Sequence, residues 1–238
     1  MKQVIVSGSF DDLRSRHIRL LEEASKLGNV HVLLWSDTLT GKPKFSQAER
    51  RYLVEAIRYV TDVRIVDNPQ DTGNLKPDLW VKEEMLSLDG FPIPAPMPTL
   101  PGRKKVIVTG CYDWFHSGHV RFCEEVSQLG DLYVVVGSDA NVALLKGPGH
   151  PLFKQEERRY VVGSVWYVKQ CLISTGSGWM DAEPEVHKLK PDIYAVNEDG
   201  DKPEKREFCR QHGVAYVVLK RKPKEGLAQR TSTDLRGF

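Results

Sequence analysis

At 238 residues, 40% apolar and 28% charged, the chain has material for one large or two small soluble domains with ample core. A net charge of +2 gives no ground for expecting nucleic acid or a membrane surface as partner, and no stretch approaches the ~20 apolar residues that span a bilayer. Met1-Lys2-Gln3 enters a strand-like run with no signal-peptide pattern, and Cys111, Cys123, Cys171 and Cys209 form no CxxC pair, so a cytoplasmic protein with free thiols is expected rather than a zinc site or disulfide framework.

In chain order, the opening segment is the first half of an internal repeat. Residues 2–37 align without a gap on residues 104–139, with 17 of 36 positions identical. After a six-residue insertion in the second copy, residues 45–60 align on 153–168, and Leu75-Lys76-Pro77-Asp78 recurs as Leu189-Lys190-Pro191-Asp192. A unit this long is a duplicated domain, since solenoid repeats run nearer ~20–50 residues. Between the copies, Pro92, Pro94, Pro96, Pro98 and Pro101 forbid helix and favour a stiff, extended linker. The expected organisation is a first domain over 1–86, a linker over 87–103 and a second domain over 104–238.

The second copy reads as alternating strands and helices. Its β-branched run predicts a strand over 105–109, followed by a helix over 120–129 and a strand over 132–137. A helix with an acidic start is expected over 155–168, a third strand over 193–196, a helix over 204–212 stopped by Gly213, and a fourth strand over 214–219. This alternation implies an α/β class, with two tandem Rossmann-like domains, each a parallel sheet carrying helices on both faces. Ligands in such sheets sit at the carboxyl ends of the strands.

Two motifs fall at those ends. Thr109-Gly110-Cys111-Tyr112-Asp113 leads from the first strand of the second copy into His116-Ser117-Gly118-His119, which opens a helix. Free amides at a helix N-terminus and two imidazoles suit a polyphosphate. At the other end of the copy, Arg230-Thr231-Ser232-Thr233-Asp234-Leu235-Arg236 offers hydroxyls that cap a helix and an arginine for charge-assisted phosphate contacts. His116-Ser117-Gly118-His119 resembles the HxGH signature of the nucleotidyltransferase superfamily. The closing run resembles that family's ISSTxIR motif, although Arg230 stands where many relatives carry isoleucine. Leu145-Lys146-Gly147-Pro148 resembles the segment that carries a phosphate-contacting lysine, and Gln155-Glu156-Glu157-Arg158 resembles the helix start that follows it.

The resemblance covers residues 104–238 and is nearest to the cytidylyltransferase group; the tandem arrangement is similar to that of phosphoethanolamine cytidylyltransferases. It implies transfer of CMP from CTP to a small phosphorylated alcohol or sugar with release of pyrophosphate. Magnesium is implied as the cofactor, and no protein-bound metal site is expected. His116, His119 and Lys146 are the implied catalytic residues. Thr109, Gly110, Tyr112, Asp113, Gly118, Arg158, Asn197, Thr231, Ser232 and Thr233 are the implied nucleotide-binding set. Two alternatives stay open: an adenylyltransferase using ATP on a similar acceptor, and a nucleotide-binding sensor without turnover. Trp114, Trp166 and Trp179 are candidates for an aromatic acceptor wall.

The first copy reads Arg14-Ser15-Arg16-His17 at the aligned motif, so one histidine and the glycine are replaced. Loss of catalysis is expected there, since bulk at the glycine obstructs phosphate. An intramolecular pseudo-dimer, or a homodimer, is the implied assembly.

Overall fold

The computed structural model describes residues 1–232 and residue 235. The chain divides into two compact units, one of Met1–Phe91 with Ser164–Trp166, the other of Pro92–Gly163 with Tyr167–Phe238. In the first unit, β1 (Gln3–Gly8), α1 (Ser15–Ser25), β2 (Asn29–Trp35), α2 (Asp37–Thr40), α3 (Gln47–Glu55), β3 (Asp62–Val66) and β4 (Leu79–Trp80) follow in order. Their strands form a parallel sheet in the order β3-β2-β1-β4. The central strands are buried because Val4, Ile5, Val6, Val32 and Leu34 leave at most 1% of their surface exposed.

The second unit holds β5 (Lys105–Gly110), α4 (Ser117–Ser127), β6 (Asp131–Val136), α5 (Asp139–Lys146), α6 (Gln155–Gly163), β7 (Val168–Ile173), α7 (Glu183–Leu189), β8 (Ile193–Asn197), α8 (Pro203–His212) and β9 (Ala215–Leu219). Its sheet is parallel throughout, in the order β7-β6-β5-β8-β9. Ile107, Val135, Tyr194 and Val196 from the strands pack with Val186 of α7 and Phe208 and Cys209 of α8 into one buried cluster. Pro203 at the first turn starts α8, and Gly213 at φ 67° ends it. The proline-rich stretch has no regular structure and lies along the second unit, where the Met97 N–H donates to the Lys169 carbonyl at 2.9 Å.

The architecture departs from expectation at three places in the second unit. The helix expected through residue 168 ends at Gly163, and Val168 already begins β7. Gly163-Ser164 interrupts the helix, and the β-branched and aromatic run beyond it suits a strand better than a helix. A Cβ at position 163 would also lie 3.0 Å from Pro94 and 3.3 Å from Cys171. The sheet therefore has five strands, and the strands expected third and fourth are β8 and β9. Two helices also enter the fold without having been expected, α5 and α7.

Candidate active site

The chain leaves β5 toward β6 on one side and returns to β8 on the other, so the loops beyond β5 and β8 diverge. A crevice at such a switch point is where ligands enter doubly wound sheets. A cavity of about 350 Å³ opens there, floored by Thr109 and Gly110 of β5 and by Val196 and Asn197 of β8.

His116 and His119 line this cavity from the start of α4. His116 is the N-cap, and its Nδ1 accepts from the Gly118 N–H at 3.1 Å. The His116 N–H donates in turn to His119 Nδ1 at 3.3 Å. The pair is a capping box made of imidazoles where a hydroxyl and a carboxylate usually serve. With both Nδ1 atoms accepting, the neutral rings carry their protons on Nε2, as the hydrogen-bond network dictates. The rings stack 3.9 Å apart, and Phe115 lies against His119 at 5.7 Å. Burial, and then the positive fields of His116, Arg221 and Lys146, hold the His119 pKa well below the ordinary 6.5. Of these causes, the positive charges of Arg221 and Lys146 also favour an anion there.

Gly118 is required by this packing. A Cβ there would stand 2.9 Å from His116 Cε1, with the Arg230 carbonyl 3.6 Å away. That carbonyl accepts from Arg221 at 2.9 Å, and Ser232 Oγ donates to the Trp114 carbonyl at 3.2 Å. The closing segment thus comes back to the start of α4. Neither Thr231 nor Ser232 is among the cavity's lining residues, and Thr233 lies outside the described residues.

Of the other expected residues, Lys146 lines the cavity from the last turn of α5. Its charge lies close enough to Cys111 to oppose the upward shift that burial imposes on that thiol. Thr109 Oγ1 pairs with the Tyr194 hydroxyl at 3.0 Å. Tyr112, in a left-handed turn at φ 54°, packs its ring 5.0 Å from His119, and burial drives its phenol well above the ordinary range.

Two expected residues are spent inside the fold. Asp113 accepts from the Leu152 and Phe153 amides at 2.6 and 3.1 Å and faces His150 at 3.3 Å, fixing the loop before α6. Arg158, 1% exposed, donates to the Phe153 carbonyl at 2.9 Å, the Cys111 carbonyl at 2.7 Å and Asp139 at 2.8 Å. Neither lines the cavity; they shape the loops around it. Trp179 does line it, with Lys202 Nζ 4.8 Å from its ring, whereas Trp114 packs on Phe153 at 6.1 Å and Trp166 is 58% exposed.

The cavity also holds residues that the motifs do not reveal: Asn141, Asp181, Lys205 and Arg221. Arg221 follows β9 within Lys220-Arg221-Lys222 and pairs with Asp199 at 2.6 Å. A cationic run just past a strand's carboxyl end is a signal that would have singled it out. The other three are isolated residues of ordinary type, brought in by α5, α7's approach and α8.

No three His, Cys, Asp or Glu residues converge as a metal cage among the described residues. Magnesium needs no such cage, since it is usually held by one or two carboxylates together with substrate phosphates, and Asp181 and Asp199 line the cavity. No helix among the described residues is long and apolar enough to cross a membrane.

The chain is 36% identical over 125 residues to the FAD synthase of Ferroglobus placidus, covering 51% of this chain and 78% of that one. It is 33% identical over 134 residues to the FAD synthase of Archaeoglobus profundus, covering 55% and 83%. It is 36% identical over 100 residues to the bifunctional protein HldE of Campylobacter concisus, where 41% of this chain spans 21% of the relative. A lipopolysaccharide core biosynthesis protein from Thermoplasma volcanium superposes with a TM-score of 0.43 at 23% identity, over 52% of this chain and all of that one. Residues 107–236, more than half of the chain, match the cytidylyltransferase-like family. The chain belongs to that family, and so to the nucleotidyltransferases.

Proposed function

We propose that the second unit transfers CMP from CTP to a small phosphorylated alcohol or sugar. The observation that carries this reading is the stacked His116–His119 pair, with both Nδ1 atoms accepting backbone hydrogen bonds at the cavity. The α4 N-terminus and the Nε2–H donors would hold the triphosphate, and Lys146 would offset charge between donor and acceptor. Asn197 and Thr109 border the reacting groups on the sheet side. An acceptor phosphate is already a nucleophile, so positioning and charge stabilisation at the α-phosphorus suffice, without a general base. Magnesium, when bound, supplies further charge neutralisation on the triphosphate. The first unit, in this reading, has lost catalysis.

A second reading replaces CTP by ATP. It is favoured by the relatives named FAD synthase, whose product contains an adenine nucleotide. Pyrophosphate release measured with CTP and with ATP, across phosphoethanolamine, phosphocholine, glycerol-3-phosphate and sugar phosphates, separates the two. Turnover with CTP alone supports the first reading and with ATP alone the second. Nucleotide binding without turnover on any acceptor favours a sensor.

A further inference from the structure

Five cations among the described residues are buried: Arg19, Arg50, Arg158, Lys169 and Lys205. Four of them sit in ion pairs, with Glu22, Asp37, Asp139 and Asp131 respectively. Lys205 is the exception. Its side chain is 7% exposed, and the hydrogen-bond partners of Nζ are Thr109 Oγ1 at 3.4 Å and the Gly200 carbonyl at 3.5 Å, both at the long limit for such bonds. An ammonium has three donors and is strongly hydrated in water, so burial with two weak partners is costly. Burial indeed pulls the Lys205 pKa down, and Asp181 only partly opposes this.

The cavity's other cations differ from Lys205. Arg221 holds an ion pair with Asp199, and Arg221 and Lys146 both bear on His119. Lys205 lies against Thr109 at the end of β5 and faces the same cavity, with Asp181 and Asp199 acting on it only at longer range.

We propose that Lys205 receives the phosphate of the acceptor, and that this phosphate completes its missing ion pair. The inference rests on the nucleotidyl-transfer reading above. In the transfer step an oxygen of that phosphate bonds to the α-phosphorus of the nucleoside triphosphate. The bond from the α-phosphorus to the bridging oxygen breaks, and its electron pair leaves with pyrophosphate. Lys205 holds the nucleophile by charge and exchanges no proton.

The test compares Lys205→Met and Lys205→Arg with the wild type, by pyrophosphate release against each substrate and by melting without substrates. In Lys205→Met the acceptor KM should rise roughly ten- to a hundredfold, with the nucleotide KM within about twofold. Its Tm should rise, since an unpaired buried charge is gone. Lys205→Arg should recover most of the acceptor affinity. A nucleotide KM that rises in place of the acceptor KM overturns the assignment. So does a lowered Tm with unchanged kinetics, which would make Lys205 structural. A wild-type chain that releases no pyrophosphate contradicts the transfer reading instead. Calorimetric titration of the same phosphorylated acceptors then decides Lys205 alone: binding lost in Lys205→Met upholds it, and any other result overturns it.

Discussion

At the carboxyl ends of β1 and β5 the chain builds the same turn twice, with opposite consequences for an anion. Phe10 and Tyr112 both take left-handed backbone, at φ 47° and 54°, and each ring packs on a histidine, at 5.6 and 5.0 Å. The Arg14 N–H donates to His17 Nδ1 at 3.1 Å, as the His116 N–H donates to His119 Nδ1 at 3.3 Å. Arg50 repeats the role of Arg158, donating to the Phe45 and Trp35 carbonyls at 3.0 and 2.9 Å and to Asp37 at 2.7 Å.

What differs is the start of the helix and the end of the second strand. Arg14 stands for His116 and pairs with Asp12 at 2.7 Å; Arg16 stands for Gly118 and pairs with Glu83 at 2.7 Å. Trp35 aligns with Gly137 and lines a wider cavity of about 1000 Å³ together with His17 and Glu83. The first unit keeps what folds the loop and neutralises the cations that a phosphate would need. Arg158 has a counterpart in Arg50 and belongs with the scaffold, whereas His116 and Gly118 have none in the first unit.

The largest effect should separate the two histidines. His119→Ala should lower kcat/KM for pyrophosphate release about a thousandfold, and His17→Ala should change it by less than about twofold. Equal losses would break the comparison.

Next come the twin arginines. Arg158→Ala and Arg50→Ala each leave a carboxylate and buried carbonyls unpaired, so each should destabilise its own unit by roughly 3–5 kcal/mol in denaturant titrations. An effect confined to Arg158 would show that the two loops are not equivalent.

Gly118→Ala should act mainly on chemistry, at a modest cost to the fold, because the displaced His116 ring also loses its cap on the Gly118 N–H. Alanine favours a helix by about 1 kcal/mol over glycine and loss of the cap costs about as much, so the Tm should change little. The His116 ring must move, and kcat/KM should fall about a hundredfold.

The protonation of His119 gives a smaller, signed effect. Its pKa lies well below 6.5 in the empty cavity, so the ring is neutral at pH 7. A bound triphosphate favours the charged form and raises that pKa. Binding should therefore take up a proton near neutrality, and affinity should weaken as pH rises through the raised value. Calorimetry in buffers of different ionisation enthalpy reads this uptake, and His119→Ala should abolish it.

Smallest of all is Arg16→Ala. Its ion pair is exposed, at 70% and 36%, so stability should move by less than about 1 kcal/mol and turnover not at all.

Much of this was legible in the sequence, for reasons that particular elements show. β5 and β6 are short β-branched runs, and α4 follows a motif whose spacing sets two imidazoles on one helical turn. The boundary between α6 and β7 was hidden because apolar residues keep a helical spacing across Gly163. α5 exposes Leu144 and Leu145 and so lacks the apolar face that marks a helix, while α7 has only Val186 and Leu189 to mark one. In the site, His116, His119, Lys146, Thr109, Gly110 and Asn197 all line one cavity. Lys205, Asp181 and Asn141 come from separate elements and meet only through the strand order, which no local pattern encodes.

The central claim is that one unit, not both, holds a triphosphate. Equilibrium dialysis of labelled CTP and ATP against the intact chain tests it most directly. The account predicts one nucleotide site per chain, lost in His119→Ala and retained in His17→Ala. Two sites per chain, or a single site that disappears with His17, would contradict it.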